Sequence, residues 1–192
     1  MASSTRIPAA ELSGVSGTLV KWLLRRRFGE VPDAIGVVWH NRRVLTFSAA
    51  VGRKVEKWNR CDRNLKTFAH MAVASLVGCS LCLDLSYFTA YNEGLDLVKA
   101  REVPRWRQSD VFTPLERDVM EYAEAMSQTP PAVADELSAR LLSQLGAPAL
   151  VELTFVIGFA NLAARSNTAL GLESQGFAAA CDLPPLSVAS RS

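Results

Sequence analysis

Apolar positions recur every three to four residues along most of the chain, and the strict alternation of a half-buried strand is nearly absent. This pattern predicts an all-α protein of seven or eight helices in a single-domain bundle. "GTLVKWLLRRRF" reads as a first amphipathic helix ending near Gly29, and a second starts at Val31-Pro32. "DAIGVVWHNRRVLTFSAAVGRKVEKW" holds two segments broken around His40-Asn41. "DRNLKTFAHMAVASLV" follows, with Asp62 as N-cap, and Gly78 interrupts the periodicity before a new helix near Cys79. Further on, "TPLE" is a capping box: Thr113 caps, Pro114 takes the first helical position, and Glu116 sits three residues after the cap. Another helix runs to Gly146, and Pro148 opens a long one ending near Gly171. The "EVPRWRQSDVF" stretch between the helix groups reads as a loop. Residues 1–14 are expected to be a mobile tail, 15–180 the helical domain, and 181–192 a Pro- and Ser-rich tail.

Composition narrows this picture. The 192 residues are 49% hydrophobic and 21% charged, which suits a chain that buries a core. A net charge of +2 gives no argument for nucleic acid, and the Arg25-Arg26-Arg27 cluster suits a solvated helix end. Met71 to Tyr91 is long and apolar, but Asp84 near its centre would cost about 2.5–3.5 kcal/mol in a bilayer, so the expectation is buried helices and no membrane. The N-terminus lacks the apolar run of a secretory signal, which points to the cytoplasm.

Four cysteines (Cys61, Cys79, Cys82, Cys181) in a reducing compartment direct attention to the C-x-x-C pair in "LVGCSLCLDLSYF". Residues three apart share a helix face, so both thiols can present together. At a helix start, the free N–H groups and the dipole stabilise a thiolate. One cysteine can then be oxidised to sulfenic acid and the other can close the disulfide. A zinc site from Cys79, Cys82, Cys61 and His70 is conceivable, although the chain has only two histidines and no second C-x-x-C. Two buried, inert thiols are the third reading.

The surroundings of the pair resemble the carboxymuconolactone decarboxylase and alkyl hydroperoxidase D-like superfamily. Its pattern has Glu twelve residues before the first Cys, then Gly-Cys-x-x-Cys-x-x-x-His and a downstream Gly. Gly78, Cys79, Cys82 and Gly94 match, and "VVWHNRRVL" and "ELT…N…R…ALG" extend the likeness over about Val31 to Leu172. The resemblance implies a helical bundle that assembles as a dimer, trimer or hexamer. It also implies Cys82 as the residue oxidised by a hydroperoxide and Cys79 as the resolving thiol. A dithiol reductant protein would regenerate the pair, with no metal or other cofactor in the chain.

Two departures stand out. The superfamily His falls on Ser86 and the Glu on Thr67, and neither can act as a base near neutral pH. His70 lies three residues after Thr67 on the same face and is the candidate replacement base. Asp84 is expected to point away from the thiols into a salt bridge or subunit contact, and Tyr87 and Tyr91, an i, i+4 pair, to pack in the core or to line a pocket over the thiols. Glu152, Asn161 and Arg165 are expected to organise the core or an interface, and Cys61 and Cys181 to be inert. The leading expectation is a thiol-dependent peroxidase or disulfide oxidoreductase. A decarboxylase-like small-molecule enzyme and a non-catalytic oligomeric member are the alternatives.

Overall fold

The structure is a computed structural model that describes residues 5–179; the second tail and Cys181 lie outside this range. Eight α-helices and one 3₁₀ turn account for its regular structure, and the described residues contain no strand. α4 (Arg63–Val77) is the central rod. Asp62 caps it by accepting the N–H groups of Asn64 and Leu65, as its sequence predicts. Phe68, Ala69, Met71, Ala72 and Val73 are wholly buried along it, an almost unbroken apolar run that needs neighbours on several sides. α7 (Pro114–Ser127) and α8 (Asp135–Ala169) supply most of that cover. Burial of each large side chain here contributes about 1.5–3 kcal/mol.

α7 begins with the capping box read from Thr113 and Glu116. α8 is broken at Gly146, whose φ of 73° and ψ of 161° lie far from helical values, so the two helices expected around Gly146-Ala147-Pro148 are two arms of one element. By length and composition alone α8 could cross a membrane; here it packs against α4 and α7. Two of its polar groups close the bundle. Asn161 donates to Ser127 Oγ at 2.8 Å, and Arg165 donates to the Ser127 carbonyl.

The outer elements are α1 (Gly14–Phe28), α2 (Asp33–Trp39), α3 (Arg42–Val55), α5 (Ser80–Asn92) and α6 (Leu97–Glu102). The "EVPRWRQSDVF" stretch is more ordered than a loop: α6 ends within it and the 3₁₀ turn Val103–Gln108 follows. Burial of Trp106, whose indole N–H donates to Glu124 at 2.8 Å, holds that turn down.

The N-terminal segment also differs from the expected mobile tail. Ala10 N–H donates to the Gly36 carbonyl and Leu12 is buried. Arg6 donates through its backbone to Leu170 O and through its guanidinium to Ala169 O. The cation thereby satisfies carbonyls at the negative end of α8. α1, α3 and α8 all leave large apolar side chains exposed: Val15, Leu19, Trp22 and Leu23 on α1, Val44 and Phe47 on α3, and Val151, Phe155 and Leu162 on α8.

Candidate active site

α4 stops at Gly78 because the chain must enter the left-handed region there (φ 82°), where a side chain would be strained. The reversal lets the N–H groups of Gly78 and Cys79 both bond Ala74 O, at 3.0 and 2.9 Å. Cys79 then becomes the N-cap of α5, and its sulfur accepts the N–H of Cys82 at 3.2 Å. Cys79 and Cys82 are joined in a disulfide with Cα atoms 5.3 Å apart. Both are buried, at 1% and 4% exposure. The Cys82 sulfur receives a second kind of donor, the side-chain amide of Asn167 at 3.4 Å. Each sulfur thus has its own hydrogen-bond donor, an arrangement that stabilises a thiolate more than a neutral thiol.

His70 lies on the face of α4 that α5 covers, and its Nδ1 is 2.8 Å from Ser86 Oγ. The Ser86 hydroxyl donates its proton to the Cys82 carbonyl at 2.7 Å. A hydroxyl has one proton, so the contact with His70 is a donation from Nδ1–H to Ser86 Oγ. That assigns the tautomer and leaves Nε2 with its lone pair. Burial pushes the imidazole below its ordinary 6.5, so it is neutral near pH 7 and able to accept a proton. The two candidate positions therefore meet: the imidazole from position 70 holds the hydroxyl that occupies the superfamily His position. Thr67 is half-buried on the same helix, and among the described residues it makes no hydrogen bond to His70, Ser86 or either sulfur.

Asp84 corrects one expectation. Its carboxylate is in no salt bridge among the described residues; it accepts from Ser174 Oγ and from the N–H groups of Gly176, Phe177 and Ala178 at 2.6–3.0 Å. Ser80, between the cysteines, accepts the Ser174 N–H at 3.1 Å. The strap after α8 is therefore pinned beside the disulfide. Phe177 on this strap stacks edge-on with Phe28 at the end of α1. Tyr87 is fully buried and its hydroxyl accepts from Arg101, while Tyr91 is 47% exposed, so the two tyrosines do not act as a pair. His40, at the surface, contacts the Pro8 carbonyl at 2.9 Å.

The other buried polar group of note, Glu152, is far from the pair. It accepts from Arg60 N–H, Cys61 N–H and Lys66 Nζ at 2.8, 3.3 and 2.9 Å. Burial pushes its carboxyl up, but the Lys66 ammonium and the two backbone N–H groups outweigh this and hold it below its ordinary 4.5. A recess of about 350 Å³ lies beside it, lined by Trp58, Pro148, Val151, Glu152 and Phe155. It offers no nucleophile, and its one ionisable group is already satisfied, so the thiol pair is the place equipped for chemistry.

Asn167 is the residue that the sequence reading passed over. Its only signal is a polar side chain in the last turn of an apolar helix, inside the "ELT…N…R…ALG" stretch. Its contact with Cys82 spans 85 positions, beyond the reach of local pattern.

These features define an all-helical thiol-disulfide scaffold with the alkyl hydroperoxidase D-like fold. Within it, the chain shares a family with the uncharacterized protein YnjA of Escherichia coli (strain K12), to which it is 37% identical over 166 residues, 85% of this chain and 88% of YnjA. No family model matches the chain. Among solved structures, the apo debrominase Bmp8 superposes with a TM-score of 0.77 at 18% identity, over 93% of this chain and 97% of Bmp8. An uncharacterized peroxidase-related protein with an alkylhydroperoxidase AhpD core, from Ralstonia eutropha JMP134, gives 0.77 at 16% identity, over 92% and 96%. At such identities these likenesses establish the fold.

Proposed function

We propose that the chain is a thiol-dependent peroxidase in which Cys82 is oxidised, Cys79 resolves, and His70 is the base. The observation that carries this reading is the 2.8 Å contact of His70 Nδ1 with Ser86 Oγ, the hydroxyl that stands in the usual histidine position and itself bonds the Cys82 carbonyl. His70 takes the Cys82 proton, with Ser86 fixing the ring. The Cys82 thiolate attacks the outer oxygen of a hydroperoxide; the O–O bond breaks, Cys82 becomes sulfenic acid, and the alkoxide leaves and is protonated. The Cys79 thiolate then attacks the Cys82 sulfur, the disulfide forms, and hydroxide leaves as water once protonated. A dithiol protein reduces the disulfide in two exchanges and leaves with its own disulfide. All electrons come from thiols, so the cycle asks for no metal or flavin. The protein works in the cytoplasm, where such reductants keep the pair cycling, and as a homo-oligomer that covers the apolar faces of α1 and α3.

The test is direct. Reduced protein is mixed with a small excess of hydroperoxide, free thiols are counted, and disulfides are mapped by mass spectrometry. Rapid formation of the Cys79–Cys82 disulfide, abolished in Cys82→Ser, is expected. His70→Ala should slow it about 10²-fold. If both thiols stay reduced while a small free thiol is oxidised, the peroxidase reading is lost; a His70→Ala variant as fast as wild type removes His70 from the mechanism.

A further inference from the structure

We infer that Asn167 is a further catalytic residue of the pair: its amide N–H holds the Cys82 sulfur as an anion and so favours the reduced form over the disulfide. The inference rests on the proposed thiol cycle and adds to it a group from a different helix.

The argument starts from what each sulfur is given. Cys79 is served by the backbone, as the N-cap of α5 with the Cys82 N–H on its sulfur. Cys82 lies inside the first turn and has no such position. Its donor is Asn167 Nδ2, 3.4 Å away on the last turn of α8. A disulfide sulfur is a weak acceptor and a thiolate a strong one, so the same contact is worth more in the reduced state. The end of a helix is otherwise a poor place for an anion, because the dipole there is negative. An amide donor offsets that, and Arg6 on the neighbouring carbonyls Ala169 O and Leu170 O adds to the effect.

Asn167 is also held rather than free. Its own carbonyl accepts the Leu172 N–H at 2.9 Å, and the strap that follows is fixed to Asp84 and Ser80. With the pair oxidised, the other titratable groups of the surroundings are hydrogen-bonded elsewhere: His70 on α4 bonds Ser86, and Asp84 on α5 accepts from the strap. Asn167 is therefore the one side-chain donor on that sulfur among the described residues.

The experiment equilibrates full-length protein with dithiothreitol redox buffers and reads the ratio of disulfide to dithiol by mass spectrometry. Asn167→Leu should shift the equilibrium about tenfold toward the disulfide. Asn167→Asp, of the same shape, should shift it further, because it replaces a donor with an anion. In a Cys79→Ser background, iodoacetamide should alkylate Cys82 about tenfold more slowly when Asn167 is Leu. A purely structural role would weaken both redox forms alike and leave the equilibrium constant unchanged, and that result overturns the inference. Neither readout needs a hydroperoxide. If hydroperoxide fails to oxidise the pair yet the Asn167 variants shift the equilibrium, the peroxidase reading falls and the role of Asn167 at the sulfur stands. If oxidation succeeds and the variants shift nothing, Asn167 falls alone.

Discussion

α4 has a buried cysteine environment at each end, and the two have opposite characters. Cys61 precedes the helix and Cys79 follows it, so the helix separates them by roughly 22 Å. At the Cys61 end, burial pushes the thiol from an ordinary 9.0 up to about 11; Lys66 offsets this in part, and the Glu152 and Asp62 carboxylates add to it. The polar groups there serve one another: Lys66 and the backbone around Arg60 and Cys61 all converge on Glu152. At the Cys79 end, the donors face sulfur, from the Cys82 N–H and from Asn167. Burial is common to both ends and lowers the reactivity of any thiol that it leaves without donors. What decides it is whether the nearby donors are directed at sulfur or consumed by a carboxylate.

The largest test of this contrast removes the carboxylate. Lys66 and Glu152 are 13% and 7% exposed in their side chains, so Glu152→Ala leaves a nearly buried ammonium on the Trp58 carbonyl without its counter-ion and strands two backbone donors. We expect a loss of about 3–5 kcal/mol in chemical denaturation, with the redox equilibrium of the disulfide unmoved. A shift in that equilibrium would show that the two ends are coupled and would break the comparison. Next in size is thiol reactivity. A thiol displaced from 9.0 to about 11 has about a hundredfold less thiolate near neutral pH. In reduced protein, Cys61 should therefore be alkylated about a hundredfold more slowly than an ordinary thiol in an unfolded peptide, as followed by peptide mass spectrometry. Similar rates would mean that burial at the Cys61 end is not what the structure indicates.

The same division separates what could be read from the sequence from what could not. The helix class, the Asp62 and Thr113 caps, the Gly78 stop and the break near Gly146 were legible, because each depends on residues within a turn or two. The cysteine pair and the candidates His70 and Ser86 were legible as positions in a pattern, but their 2.8 Å contact was not, since it depends on how α5 folds back across α4. The partners of Asp84 were not legible for the same reason: its four donors lie 90–94 residues on, in the strap after α8. Asn167 and the docking of residues 6–12 also depend on long-range closure, at the end of α8.

The finest test separates the ends by acid. His70 is neutral in the folded protein near pH 7 because burial depresses its imidazole, and among the described residues no carboxylate pairs with it; its hydrogen bond is to a neutral hydroxyl. As pH falls through 6.5, the unfolded chain binds a proton at this residue and the folded chain does not. Stability must therefore fall, by up to about 1.4 kcal/mol per pH unit, until the folded value is reached. Glu152 has the same sign in a different window. Its carboxyl is held below 4.5, so its contribution is complete above that value and is lost only as pH falls through the lower folded one. Denaturation curves between pH 8 and 5 should thus report the thiol end alone. His70→Asn puts an amide N–H where Nδ1–H stands, so it keeps the donor for Ser86 and cannot titrate; it should flatten the curve in that range and leave the steeper loss below pH 4.5 in place. An unchanged slope between pH 6.5 and 5 in this variant would mean that His70 is not held neutral, and the case for it as the relocated base would lose its electrostatic support.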